Sequence, residues 1–292
     1  MKQYKNIIVD ADNVCWKNYY KLSNLSYGGI KTGAIFGMLQ SVLSYYKDYK
    51  PDDVYLTWSM GSTYRKSIYP EYKATRKKDE HDDYFVQQHI IEDLFKFLGI
   101  KQYRIKGYEA DDIIAVIANE CSCEEEPTLI ISADKDLLQL IDKYVTIKKD
   151  DDLYDEAFTE FKLGIKPKDI PLYLSIVGDR SDNIVGVLQV GPKKATTLIQ
   201  EYGQERLLRL VRGQEFPSWR DPNVERVRLS EEVIERNLKL IKLKPFIEEI
   251  DPENNILYME PNLEEVLKIL EKYNITSLLS KVITFYEERY GT

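Results

Sequence analysis

Eight carboxylates are spread over the first two thirds of the chain: Asp10, Glu109, Asp111, Asp112, Asp134, Asp136, Asp179 and Asp182. Two of them close runs that read as buried strands, Asn6-Ile7-Ile8-Val9-Asp10 and Leu129-Ile130-Ile131-Ser132-Ala133-Asp134. In open parallel sheets, ligand sites collect at the carboxyl ends of the strands. Asp111 and Asp112 open a helix, where the macrodipole favours negative charge. For that pair alone, simple capping is the plainer account. Asp179 and Asp182 are three residues apart, so one turn puts both on one face. Carboxylates brought together repel one another and lose hydration. Hard divalent cations remove that cost through oxygen ligands. The chemistry indicated is metal-assisted work on phosphate. Asp12 is a ninth acid beside the same strand end.

These acids need a fold that gathers them. After the strand at 6–10, apolar spacing predicts a helix over 33–49, with Ile35, Met38, Leu39, Val42 and Leu43 on one face. Pro51-Asp52-Asp53 turns the chain into a strand from Val54 to Trp58. Residues 61–83 are polar and tyrosine-rich and read as an excursion from the core. A helix from about Tyr84 to Leu98 stops at Gly99. A strand near Gln102 to Ile105 precedes the acidic helix start; strand 129–133 and a helix from about Lys135 to Ile141 follow. From about Asp155 onward the pattern is almost wholly helical. The alternation of strand and helix gives an α/β class with a mainly parallel central sheet.

Composition narrows the class. The net charge of the 292 residues is −8, and the eight acids above carry all of it, so the remainder is neutral. Three cysteines, Cys15, Cys121 and Cys123, give neither a disulfide set nor zinc spacing and point to a reducing compartment. With His81 and His89 as the sole histidines, a His/Cys zinc site is excluded as a reading. No apolar run is long enough for a signal peptide or a membrane span, so the expectation is a cytoplasmic monomer without a membrane partner.

Two basic segments stand out. Residues 64–78 hold six cations (Arg65, Lys66, Lys73, Arg76, Lys77 and Lys78) against Glu71, a local +5, with Tyr64, Tyr69 and Tyr72 between them. Cations neutralise phosphates and aromatic faces stack on unpaired bases; a solvated loop explains the charge equally well. Further on, Gly186 and Gly191 bracket an apolar turn before Pro192, Lys193 and Lys194. Free N–H groups at such a helix start can hold a phosphate.

Taken together, these segments resemble the 5′ nuclease superfamily: flap endonucleases, stand-alone bacteriophage 5′–3′ exonucleases and the N-terminal nuclease domain of bacterial DNA polymerase I. The motifs are Ile7-Ile8-Val9-Asp10, Pro70-Glu71-Tyr72-Lys73-Ala74-Thr75-Arg76, Gly107-Tyr108-Glu109-Ala110-Asp111-Asp112, Ser132-Ala133-Asp134-Lys135-Asp136, Val177-Gly178-Asp179-Arg180-Ser181-Asp182-Asn183 and Gly186 to Ala195, in the family's order. The resemblance implies a catalytic core over 1–176 with a helical arch near 61–95. It also implies a helical DNA-binding region over 177–292 with a helix–three-turn–helix near 184–203. It makes the eight acids metal ligands for Mg²⁺, with Mn²⁺ as substitute, and allows K⁺ at the helix–three-turn–helix, where Gln189 replaces a common glycine. It puts Lys73 and Arg76 beside the scissile phosphate and Lys17, Tyr72, Gly186, Val187, Val190, Gly191, Lys193 and Lys194 against DNA. The implied activity is a two-metal 5′–3′ exonuclease and 5′-flap endonuclease in replication and repair, on DNA with a 5′ single-stranded end and with RNA–DNA hybrids open. A phage-like setting would place it in the host cytoplasm. One position departs: seven residues before Arg65 the family has an Asp and this chain has Trp58, which cannot ligate a metal. Ser59 or Asp12 acting through a water is the available substitute. Readings left open are a binding protein with a weakened metal site, a PIN-like ribonuclease and a metal-binding scaffold.

Overall fold

A computed structural model describes residues 4–76, 82–217 and 221–291. The strands are β1 (Asn6–Asp10), β2 (Ser26–Tyr27), β3 (Ile30–Lys31), β4 (Asp53–Met60), β5 (Lys101–Lys106), β6 (Thr128–Ile131), β7 (Val145–Lys149), β8 (Asp152–Tyr154), β9 (Gly178–Asp179), β10 (Ile184–Val185) and β11 (Ile256–Leu257). Seven form one sheet in the order β11-β5-β4-β1-β6-β7-β8. The inner five run parallel, and β8 and β11 close the edges antiparallel.

A parallel sheet covered on both faces requires strands that are apolar throughout. β1 meets this: all five residues are buried. Its side chains alternate, Ile8 facing one apolar cluster and Ile7 and Val9 the other. β6 repeats the division, with Ile130 on the first face and Leu129 and Ile131 on the second.

The second face is covered by α1 (Ala11–Lys21), α2 (Gly33–Tyr49), α4 (Asp82–Phe97), α12 (Leu263–Lys272) and α13 (Leu279–Tyr290), after the short α3 (Thr63–Ile68). The first face is covered by α5 (Ala110–Cys123) and α7 (Ile170–Val177), with α6 (Glu156–Leu163) alongside. The same core runs on into α8 (Pro192–Tyr202), α9 (Gln204–Val211), α10 (Pro222–Leu229) and α11 (Glu231–Ile241). Among the described residues no helix is long and apolar enough to cross a membrane.

Several sequence-based expectations need correction. The helix expected over 135–141 is a 3-10 turn at Asp136–Leu140, too short for an apolar face of its own. The β7–β8 hairpin, the β2–β3 hairpin and β11 were not anticipated. The stretch from Tyr84 to Phe95 is not arch but core, because Tyr84, Ile91, Leu94 and Phe95 are buried against α1 and α2. Lys77 and Lys78 lie outside the described residues. The chain after 177 is not a separate helical region: β11 joins the sheet beside β5, and Val266, Leu270, Val282 and Phe285 pack on the second face.

Candidate active site

The sheet's carboxyl edge gathers the acids from four separate segments. Asp10 ends β1 and caps α1, its Oδ1 accepting from Asn13 N at 3.1 Å. Its Oδ2 accepts from Ser132 Oγ at 2.7 Å, which ties β1 to the end of β6. Asp134 holds the next turn, Oδ1 accepting from Asp136 N at 2.9 Å. The start of α5 is a capping box, in which Glu109 N donates to Asp112 Oδ2 at 3.1 Å. These caps confirm the plain role of the α5 acids and do not exhaust it, since several carboxylate oxygens face the cluster.

Arg65 enters this cluster from α3. It is 4% exposed, and its guanidinium spans Asp112 (2.7 and 2.9 Å), Glu109 Oε2 (3.0 Å) and Asp111 Oδ2 (3.2 Å). One fork therefore neutralises part of a three-acid group. Tyr72, 2% exposed, places its hydroxyl 2.9 Å from both Glu109 Oε2 and Asp182 Oδ2. Its one proton serves one carboxylate at a time. That ring is packed inside the cluster, so stacking on an unpaired base, the role expected for Tyr72, does not fit its position. The excursion at 61–83 thus sends two of its side chains inward.

Lys73 adopts a left-handed φ of 57°, its N–H donating to Asp182 O at 3.0 Å. That turn aims its ammonium at Glu109, with Asp182 Oδ2 3.7 Å away. Arg76 donates to Asp182 Oδ1 at 2.5 Å and to Ser181 O at 3.2 Å. Lys17 instead pairs with Asp150 at 2.8 Å on the β7–β8 turn.

Asp136, Asp179 and Asp182 bring one oxygen each to within 4.8 Å of one another. Asp136 Oδ1 is buried and has no hydrogen-bond partner, an expensive arrangement for a lone carboxylate. An oxygen-only donor set with one orphaned, inward-aimed oxygen fits a hard divalent cation. Asp179 is the stabilised member: burial raises its pKa, but hydrogen bonds from Ser181 and the charge of Lys135 outweigh this and hold it below the usual range.

Asp10, Asp112, Asp134 and Asp136 sit high. Burial, with Asp12 and Asp134 adding repulsion, pushes Asp10 up to about 7 against the opposing bonds from Ser132 and Asn13. Burial and Asp111 push Asp112 to about 6, with Arg65 opposing. Burial and neighbouring acids also raise Asp134 and, more strongly, Asp136. Asp10 thus keeps in the native state a proton that it releases near 3.8 when unfolded. Between those values the folded state binds more protons, so metal-free stability falls as pH rises. Thermal melts in EDTA should show Tm declining from about pH 4 to about 7 and levelling above it. Stabilisation by saturating Mn²⁺ should grow over the same interval, because ligands must shed protons to bind. A metal-free profile that is flat across this window contradicts shared burial of the acids.

Trp58 is wholly buried, its indole N–H donating to Gln102 Oε1 at 3.0 Å, so it faces the core and not the cluster. Asp12 occupies the neighbouring edge, accepting from Ser59 N at 2.7 Å. Ser59 Oγ is taken up by the N–H of Ala110 at 3.0 Å, which leaves Asp12 the better placed of the two substitutes.

In the glycine turn, a Cβ at Gly186 would lie 2.4 Å from the Val177 carbonyl, so no other residue fits. Val187 and Val190 are buried and can offer only backbone outward, while Leu188 is 81% exposed at the tip. Gln189 takes the left-handed conformation at φ 63°, and its carbonyl accepts from Lys194 Nζ at 3.0 Å. No sequence signal marks the buried role of Arg65, the Ser132 and Asn13 bonds that position Asp10, or Gln139, whose amide donates to Asp136 O at 2.8 Å.

Comparison with known proteins agrees with this geometry. Residues 5–164 match the family model described as 5′-3′ exonuclease, N-terminal resolvase-like domain, and residues 165–254 match its C-terminal SAM fold. A 5′-3′ exonuclease of Aquifex aeolicus is 32% identical over 288 residues, 96% of each chain. A 5′-3′ exonuclease of Buchnera aphidicola is 36% identical, covering 69% of this chain and 73% of its own. DNA polymerase I of Caldicellulosiruptor bescii is 35% identical, but this chain spans only 24% of it. Among solved structures, T5 5′-exonuclease with bound zinc aligns with a TM-score of 0.69 at 20% identity, over 97% of this chain and 98% of that one. The catalytic core of Rad2 in complex with DNA substrate aligns at 0.61 and 16%, over 97% and 93%. At such identities the structures speak for the fold, a mixed, mostly parallel nuclease sheet. With matches that run from β1 through α11 and a full-length relative at one-third identity, the chain belongs to the 5′-3′ exonuclease family of phosphodiester hydrolases.

Proposed function

We propose that the protein hydrolyses DNA phosphodiesters at 5′ single-stranded ends and flaps on duplex, using Mg²⁺ or Mn²⁺ held by Asp10, Glu109, Asp111, Asp112, Asp134, Asp136, Asp179 and Asp182. The observation that carries this reading is the Asp136, Asp179 and Asp182 trio with its buried, orphaned oxygen. Divalent cations bound by these carboxylates would supply Lewis acidity for attack by water on the phosphodiester. The chain's own groups do the rest. Lys73 and Arg76 now lie on Glu109 and Asp182, and a phosphate arriving there exchanges one anionic partner for another. Arg76 grips phosphate oxygens as a fork and Lys73 acts as a point charge. The 186–194 turn holds the duplex backbone through N–H groups at the start of α8, with Lys193 and Lys194 adding charge. A K⁺ ion on carbonyls of this turn competes with Lys194, which already takes the Gln189 carbonyl. Because Trp58 removes one family carboxylate, activity is expected to favour Mn²⁺ over Mg²⁺.

Cleavage of 5′-flap, nicked and single-stranded DNA in each metal tests the proposal. The flap should be cut fastest. Asp134→Asn and Asp179→Asn with full activity would show that the acids are wrongly assigned. Lys73→Ala should slow cleavage about a hundredfold, the scale of one lost transition-state donor, with flap affinity changed far less. Cleavage at the parent rate would remove its role.

A further inference from the structure

We propose that Lys239, Lys242 and Lys244 form a phosphodiester-binding pocket for the unpaired strand, distinct from Lys73 and Arg76 and from the 186–194 turn. The inference rests on the nuclease reading above. α11 ends at Ile241, and its last residues with the strip that follows are pinned at three backbone atoms. Leu240 O accepts from Arg65 Nε at 2.9 Å, Ile241 O from Gln139 Nε2 at 3.0 Å, and Leu243 N donates to Gln139 Oε1 at 2.9 Å. One clamp is the guanidinium that pairs with Glu109, Asp111 and Asp112. The other is the amide that also holds the Asp136 carbonyl. The strip therefore bridges both halves of the acidic cluster, and its lysines are held in register beside the carboxylates.

The three lysines line a cavity of about 260 Å³ with Tyr64, Tyr108 and Phe246. Arg65 and Asp112 form its inner wall. Arg65 is already saturated by its carboxylates and the Leu240 carbonyl, so free positive charge comes from the lysines. Among the described residues none of them has a carboxylate in ion-pair range; Lys244 rests 4.4 Å over the Tyr64 ring. The opposing acids are Glu248 and Glu249, and Glu249 is engaged by the Tyr108 hydroxyl. Three uncommitted cations match backbone phosphates and carry no sequence information. The cavity is too narrow for a duplex, and the half-open Tyr64 and the 72% exposed Phe246 offer faces to unstacked bases. The occupant is single-stranded DNA.

The test is anisotropy of a labelled 5′-flap substrate and the same duplex without its flap, in Ca²⁺ buffer over a range of salt. The variants are Lys239→Ala/Lys242→Ala/Lys244→Ala and the milder Lys242→Gln/Lys244→Gln, with melting temperature as the check on folding. The triple variant should bind the flap about tenfold more weakly, with its salt slope reduced by about 2 at roughly 0.7 per lost single-strand phosphate contact. The double variant should lie between, and flapless duplex should bind within about twofold of parent. Unchanged flap affinity and slope in the double variant, or an equal loss on flapless duplex, overturns the pocket. If the parent cleaves the flap while the variants bind it normally, only the pocket fails; a parent that neither binds nor cleaves removes both readings.

Discussion

Asp136→Asn should lower cleavage by about a thousandfold and at the same time raise the melting temperature of the metal-free protein. The two effects have one origin. Asp136 is half-buried, with its Oδ1 fully buried, beside Asp134, Asp179 and Asp182, which together with lost hydration push its pKa far up. Its Oδ1 has no partner, while its N–H is already held by Asp134. An amide of the same shape removes a repelled charge, so the empty cluster relaxes. The amide is a poorer ligand for a hard cation, and metal assistance contributes several kcal/mol to phosphoryl chemistry, about 4 kcal/mol being three powers of ten. Calorimetry of Mn²⁺ binding should show one weakened site. Loss of activity with unchanged metal affinity and a lower metal-free Tm would mean that Asp136 is structural and the trio is misread.

How far the sequence anticipated this site depends on what kind of signal each residue leaves. β1 and β6 were legible because a strand buried on both faces is apolar along its whole length, and the acids at their ends are abrupt. α2 was legible from its periodicity, and α5 from the acids that open it. The short edge strands β8 and β11 were not, since two or three residues carry no period. The family motifs located the eight acids but not their state. Asp179 lies low because Ser181 and Lys135 reach it, whereas Asp136, its neighbour in space, lies high because burial and the charges of Asp134, Asp179 and Asp182 outweigh Lys135. Arg65 was one cation in a +5 run, and only three-dimensional packing distinguishes a buried fork from its solvated neighbours. Trp58 shows the converse: its departure from the family pattern was visible, but its inward bond to Gln102 and the nearness of Asp12 were not.

Removing Arg65 should be the most damaging change to stability. Its guanidinium is nearly inaccessible and faces Glu109, Asp111 and Asp112, which no other buried cation touches among the described residues. A buried ion pair is weak evidence of net stability, because desolvation opposes attraction. Breaking one from a single side is different: it leaves uncompensated charge in the interior, at a cost of about 3–5 kcal/mol. Arg65→Ala also frees the Leu240 carbonyl and loosens the strip that spans the cluster. Arg65→Met separates charge from volume, because it refills the space without the fork. Both variants should melt roughly 10 °C below parent at pH 8. The deficit should shrink as pH falls through about 6, where Asp112 takes up its proton and needs no cation. Saturating Mg²⁺ should recover more of the loss in the variants than it adds to the parent, since the cation replaces the missing positive charge. A methionine variant within about 2 °C of parent at pH 8 would show that the acids tolerate one another without the guanidinium, and the electrostatic account of this site would fail with it.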